Sequence, residues 1–307
     1  LRHPARDGQF RLGRCVREVR THRPGRVSSF IRHYLLALQF FTRIPVTGAL
    51  ARWVGFSPAM LRASAGHFPG VGVLVGTLVA IVSAGLWALL ARHNPLVPLV
   101  VAVLGTVVSV LVTGGFHEDG LADLADGLGG SQTRERALEI MKDSRIGAFG
   151  AIALVLSLLS KVSLLALIGV GSAVAFVLAV FAAHVVSRTW PLLHIRFMAH
   201  VGDAAGSKSK PLADQICRSS LLIGFMWCFT ALAPVLIALR AIDSGAYSHA
   251  DGATVRALAG ALLASGLAWA VMARLLWRRL QGYTGDGLGA TQQVCEIAFY
   301  LGWALAA

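Results

Sequence analysis

The chain has 307 residues, 56% of them hydrophobic and only 14% charged, with a mean hydropathy of +0.67, which excludes an ordinary soluble domain and calls for an integral membrane protein. The net charge of +13 does not imply nucleic acid: nine Arg in the first 33 residues, against Asp7 and Glu18, place about half the excess in one basic tail. Such a tail reads as an anchor against anionic lipid, and residues 1–28 are expected to be a disordered cytoplasmic segment.

The first apolar segment, residues 30–50, is interrupted by Gln39, Arg43 and Pro45, so an interfacial or re-entrant helix is expected rather than a span. Arg43, a charge within an apolar run, is a functional candidate. Residues 67–91 have the length of a span, and residues 96–112 return at about the minimum length. Residues 149–170 form a third span carrying Lys161, whose insertion costs about 2.5–3.5 kcal/mol unless it meets a partner or reaches the interface. Residues 173–187, 221–239 and 253–273 follow, then an apolar tail.

The fold expected is an all-α integral membrane protein with about six to seven transmembrane helices plus the N-terminal interfacial or re-entrant helix, residues 29–307 forming one polytopic domain. Lys and Arg concentrate in the tail and in stretches 114–148, 188–219 and 274–290, which alternate to one side. Arg92, Asp243 and Asp251 fall on the other. The positive-inside rule then places the N-terminus and every motif-bearing stretch on the cytoplasmic face of the inner membrane.

Between the second and third spans lies the densest polar stretch, GGFHEDGLADLADGLGGSQTRERALEIMKDSRIGAFG, residues 114–150. If it is helical from Asp119, then Asp119, Asp123 and Asp126 share an arc of roughly 60° on one face. Three carboxylates on a stripe repel one another, which suggests a hard cation among them, Mg2+ with Mn2+ as substitute. An acidic connection between membrane helices is otherwise a solvated loop, but here small residues leave the carboxylates open to a ligand. Lys142, Asp143 and Arg145 add two cations and a carboxylate of the kind a diphosphate substrate requires. A second Gly-rich loop, residues 283–290, contains Thr284 and Asp286 and precedes a face formed by Gln292, Glu296 and Tyr300. His184, Arg188, His194 and Arg196 sit at a cytoplasmic helix end, where satisfied interfacial side chains are the simpler reading. The four cysteines show no C-x-x-C pairing and imply no zinc site.

The runs GGFHEDGLADLADGLGG and LEIMKDSRIGAFG, with LQFFTRIPV and HFPGVGVLVG before them and TGDGLGATQQVCE after, closely resemble the cobalamin synthase family of adenosylcobinamide-GDP ribazoletransferases, in the same order from about Phe30 to the C-terminus. The departures are small: His67 and Gly70 flank Phe68-Pro69, and Glu118 stands where the family often has an apolar residue. The resemblance implies Mg2+-dependent transfer of the corrinoid phosphoryl group from adenosylcobinamide-GDP to α-ribazole, or its 5-phosphate, with release of GMP. It makes residues 29–307 a transferase domain and carries the family motif onto His117, Asp119, Asp123 and Asp126, then Lys142, Asp143, Ser144 and Arg145, then Thr284, Asp286 and Glu296. Asp119 or His117 is then the base for the incoming hydroxyl. Asp119, Asp123, Asp126 and Asp143 are the expected metal ligands. Lys142, Ser144, Arg145, Arg43, Lys161, Arg188, Thr284, Asp286 and Glu296 are expected to bind substrate. The expected partners are the two small-molecule substrates and the lipid bilayer, without nucleic acid, and a homo-oligomer is left open. A CDP-alcohol phosphotransferase would need Ala-Arg where Gly130 and Ser131 stand, and a cation-coupled transporter would carry its carboxylates in mid-span.

Overall fold

The structure is a computed structural model that describes residues 26–90, 94–202, 216–243 and 252–307. Residues 1–25 of the basic tail, together with Arg92, Lys208, Lys210 and Asp251, lie outside the described residues. The expected tail boundary at residue 28 moves, because residues 26–28 begin the first helix.

Thirteen α-helices and no strand occur among the described residues. Helix α1, Arg26–Phe41, precedes two single-domain-edge turns of helix, α2, Gly48–Val54, and α3, Pro58–Ser64. A 3-10 turn joins α3 to α4, Phe68–Leu89, and α5, Val97–Thr113, meets α6, Phe116–Gly130. Short α7, Arg134–Ile140, leads into the hairpin of α8, Ala148–Gly171, and α9, Ala173–Thr189, which continues through α10, Pro191–Phe197. Helices α11, Arg218–Asp243, α12, Ala253–Leu280, and α13, Gly285–Ala306, complete the bundle.

Among the described residues, five helical stretches are long and apolar enough to cross a membrane: 58–89, 148–171, 173–197, 218–243 and 253–280. The pair α5 and α6 adds a sixth only if both halves count together, because they meet at 89°. Helix α1, at 16 residues, falls short of the roughly 20 a span requires, consistent with an interfacial segment.

The bend between α5 and α6 has a local cause. Gly114 and Gly115 adopt φ of 69° and 71°, the left-handed region where a β-carbon is strained. Arg43 lies across this bend. Its N–H donates to the Val112 carbonyl at 2.7 Å, and its side chain occupies the space that a β-carbon on Gly114 would need. Arg43 is exposed beyond the end of α1, so the expected charge embedded in an apolar helix is replaced by one at a helix junction.

Helix α13 is the central element, packing against α6, α8, α9, α10 and α12. Thr284 caps it by accepting from the Gly287 N–H at 3.0 Å, satisfying an otherwise unpaired amide of the first turn. Thr284, expected to bind substrate, is buried and engaged in this capping bond.

One end of the bundle gathers the polar stretches, as the charge pattern requires. Tyr283 and residues 199–201 exchange backbone hydrogen bonds of 2.9 Å. Arg134 Nε donates to the Leu280 carbonyl at 2.7 Å, and Arg279 Nη2 to the carbonyls of Leu128 and Ser131 at 3.1 and 2.6 Å. Residues 114–148, 274–290 and the described part of 188–219 therefore share one surface.

Candidate active site

Helix α6 confirms the spacing that set Asp119, Asp123 and Asp126 on one face, but the three carboxylates divide. Asp126 is buried and turns toward α8, accepting from the N–H groups of Gly147 at 2.7 Å and Gly150 at 2.8 Å. It caps α8 from a neighbouring helix, so both of its oxygens are engaged at a helix N-terminus, where a negative charge is favoured. Gly147 and Gly150 are required here, since a β-carbon on either would overlap the Asp126 carboxylate. Asp126→Ala is expected to lower stability by about 1–3 kcal/mol by orphaning both amides. Thermal unfolding in detergent measures this, and any Mg2+ requirement should keep its midpoint.

Asp286 joins Asp119 and Asp123 from α13. Helices α6 and α13 cross at backbone contact, where a β-carbon on Gly120 would sit 2.9 Å from the Asp286 carbonyl oxygen and 3.0 Å from its Cα. The Asp123 carboxylate lies within electrostatic reach of Asp286, Asp119 and Asp126, and Asp286 within reach of Asp119. Asp119 is exposed, while Asp123 and Asp286 are half-buried. Residues far apart in sequence thus form one anionic corner at the polar end of the bundle. Glycines expected to open the stretch to ligand serve packing instead: Gly120 admits α13, Gly127 admits Met141, and Gly129 admits Phe149. Gly120→Val is expected to push α6 from α13 and cost about 1–3 kcal/mol, with a matching fall in melting temperature.

Among the described residues no three His, Cys, Asp or Glu side chains are arranged to enclose a metal ion. Asp119, Asp123 and Asp286 carry oxygen donors of the hard class that suits a divalent cation, and like charges within electrostatic reach of one another disfavour their ionised forms. Asp143 does not join them. Both of its oxygens are held by Arg145, with Nη2 at 2.6 Å and Nε at 3.0 and 3.2 Å. That guanidinium holds the Asp143 carboxyl down to about 2, so the pair stays charged through neutral pH. Lys142, Asp143, Ser144 and Arg145 all lie exposed in the connection from α7 to α8.

His117 is buried, 5.5 Å from the Phe116 ring in edge contact and 6.4 Å from the Phe41 ring, nearly parallel to it. It points into the bundle, whereas Asp119 faces out, which favours Asp119 of the two candidate bases.

A separate polar network fills the bundle interior. Glu296 is fully buried, and its carboxylate takes Lys161 Nζ at 2.8 Å, Gln292 Nε2 at 2.7 Å and the Tyr300 hydroxyl at 3.1 Å. The helical face expected for Gln292, Glu296 and Tyr300 is observed. Lys161 lies mid-helix in α8, 2% exposed, so it neither snorkels nor faces the polar end. Arg188 Nη1 bonds His184 Nδ1 and the His184 carbonyl at 3.0 Å each. Gln293 Nε2 bridges Glu118 Oε1 and Gln292 Oε1, also at 3.0 Å. Lys161 and Glu296, expected to contact substrate, are engaged with each other in the bundle interior. Sequence reasoning noted Glu118 only as a departure from the family and gave neither it nor Gln293 a role. The signal for Gln293 was polarity within a largely apolar helix, which implies a buried partner.

The family model described as "CobS: Cobalamin-5-phosphate synthase" matches residues 33–304. An adenosylcobinamide-GDP ribazoletransferase of Albidiferax ferrireducens is 68% identical over 279 residues, covering 91% of this chain and 99% of its own. Proteins of the same name from a Polaromonas species and from Leptothrix cholodnii are 58% and 44% identical, covering 91% and 89% of this chain and 98% and 94% of theirs. No solved structure matches. With the match running through α6, the connection to α8 and the start of α13, the chain belongs to the cobalamin-5-phosphate synthase family.

Proposed function

We propose that this chain is an adenosylcobinamide-GDP ribazoletransferase. It transfers the corrinoid phosphoryl group of adenosylcobinamide-GDP to α-ribazole, or to α-ribazole 5-phosphate, releasing GMP and giving adenosylcobalamin or its 5-phosphate. The observation that carries the reading is the α6–α13 crossing, which brings Asp286 to Asp119 and Asp123 within a chain of this family. An acceptor hydroxyl oxygen forms a bond to the corrinoid-bound phosphorus while the bond from that phosphorus to the bridging oxygen breaks. The hydroxyl proton passes to a base, and GMP carries away the electron pair.

Asp119 is suited to receive that proton because its carboxylate is exposed at the corner. Asp119, Asp123 and Asp286 would hold Mg2+, with Mn2+ as substitute. The ion supplies charge neutralisation for the diphosphate. Lys142 and Arg145 stand at the same end of the bundle and are suited to the nucleotide phosphates. Arg145 is 87% exposed, so its pair with Asp143 can exchange for a phosphate at little cost. Arg145→Ala is expected to lower kcat/KM for the GDP-activated donor by about 2 kcal/mol or more in transition-state terms. Steady-state kinetics measure it, and an unchanged value would return Arg145 to a lipid or solvent role.

The Lys- and Arg-rich end is proposed to face the cytoplasm from the inner membrane. Membranes containing the chain should incorporate labelled α-ribazole into a corrinoid with stoichiometric GMP release. Membranes that do neither, while the chain is inserted and intact, would overturn the proposal.

A further inference from the structure

The anionic corner holds together only while α6 and α13 keep one rotation and one offset against each other. Their crossing is a backbone contact. A β-carbon on Gly289 would lie 3.3 Å from the Cα and carbonyl oxygen of His117 and 3.5 Å from the Gly120 Cα, beside the contact of Gly120 with Asp286. Close packing of this kind is without direction, so it brings two helices together and leaves them able to slide or turn. A fixed register needs a directional bond.

Among the described residues a single hydrogen bond joins α6 to α13, from Gln293 Nε2 to Glu118 Oε1 at 3.0 Å. Glu118 is 7% exposed and Gln293 3%. The Gln293 amide is itself held, because its Nε2 also donates to Gln292 Oε1 at 3.0 Å, and Gln292 Nε2 donates to Ser187 on α9 at 2.9 Å and to Glu296 at 2.7 Å. Glu296 in turn meets Lys161 on α8. Glu118 therefore accepts from a donor that α8, α9 and α13 orient together. Arg188 of α9, within electrostatic reach of Glu118, offsets its charge.

Burying a carboxylate is costly, and an apolar side chain would pack α6 here at lower cost. The gain is positional. Successive residues of a helix stand about 100° apart, so Glu118 faces the bundle while Asp119, its neighbour, is exposed. A turn of α6 that breaks the Glu118 bond moves Asp119 and Asp123 relative to Asp286. We propose that Glu118 is a positioning residue for the transfer: its bond to Gln293 fixes α6 against α13 and so sets the separation of Asp119 and Asp123 from Asp286. The proposal rests on the transferase reading above and gives a role to a residue outside the anionic corner.

Glu118→Leu removes the acceptor, Gln293→Leu breaks the same bond from α13, and Glu118→Gln keeps an oxygen for Gln293 while losing the charge. Both Leu variants are expected to lower kcat at least about tenfold with each KM within about threefold of wild type, because a misplacement of about 1 Å costs rate. Glu118→Gln should rescue kcat to within about threefold of wild type. A second readout needs no turnover. Nitroxides on cysteines placed at Ala125 of α6 and Leu301 of α13, with the four native cysteines replaced, should report one narrow distance by electron paramagnetic resonance, and Glu118→Gln should keep it. The distance should shift or broaden in the two Leu variants. Glu118→Gln as slow as Glu118→Leu, Leu variants with wild-type kcat, or a label distance that they leave unchanged overturns the assignment. Should neither Leu variant fold, Glu118→Gln decides through kcat and label distance. A failure of the transferase reading would appear separately, as absent GMP release by wild type, with the label distances still testing the lock between the helices.

Discussion

Asn at Asp119, Asp123 or Asp286 is expected to lower kcat/KM by about 10²–10³-fold and to raise the Mg2+ concentration for half-activity by about 10–100-fold. The three carboxylates converge from two helices on one corner. Without a cation they repel, so removing one charge should leave the melting temperature of metal-free protein unchanged or slightly higher. With wild type, added Mg2+ should raise the melting temperature, since an ion that binds only the folded state stabilises it in proportion to its occupancy. The variants should lose that increment. Mn2+ should replace Mg2+, and Ca2+, with its larger and looser coordination shell, should do so poorly. Variants that keep both the wild-type activation midpoint and the Mg2+-dependent thermal shift would remove the metal from this corner. Asp126→Asn separates the two roles, because a carboxylate that caps α8 should affect stability and leave the Mg2+ midpoint in place.

The sequence made the acidic helix legible because its carboxylates recur at a helical period, and α6 has that period. It could not show which carboxylates face the same neighbour. Asp126 and Asp119 lie on one stripe, yet two backbone amides at the start of α8 claim Asp126, and only the tertiary path of residues 147–150 determines that. Asp286 was legible as a residue in a Gly-rich loop. Its approach to Asp119 depends on Gly120, whose missing side chain lets two backbones touch. Charge alternation placed the polar stretches at one end because membrane insertion acts on loop charge, a property of sequence alone. The partners of Lys161 were hidden for the opposite reason. A lone cation in an apolar run states a need for a counter-ion and carries no information on which helix supplies it. Arg43 shows a further limit, since the run that seemed to embed it is broken at Phe41 by a turn that leaves the side chain exposed over Gly114.

Lys161→Met is expected to cost about 3–5 kcal/mol of stability, the loss typical when one member of a buried ion pair is removed. Glu296 is fully buried, and without Lys161 its charge would lose its directly paired cation and keep the Gln292 and Tyr300 hydrogen bonds, with His184 at 3.9 Å and Arg188 within electrostatic reach. Replacing both members, as Lys161→Met with Glu296→Gln, removes the uncompensated charge, and Gln keeps an oxygen to accept from Gln292 or Tyr300. The double variant should therefore recover much of the melting temperature lost by the single one, a non-additivity that a double-mutant cycle reads directly. Activity separates a structural pair from a substrate-binding one. Because Lys161 and Glu296 are buried and paired with each other inside the bundle, the recovered double variant should turn over both substrates with KM values near wild type. A double variant that regains its melting temperature but stays inactive would show that Lys161 or Glu296 acts on the substrates, and a Lys161→Met protein as stable as wild type would remove the ion pair itself.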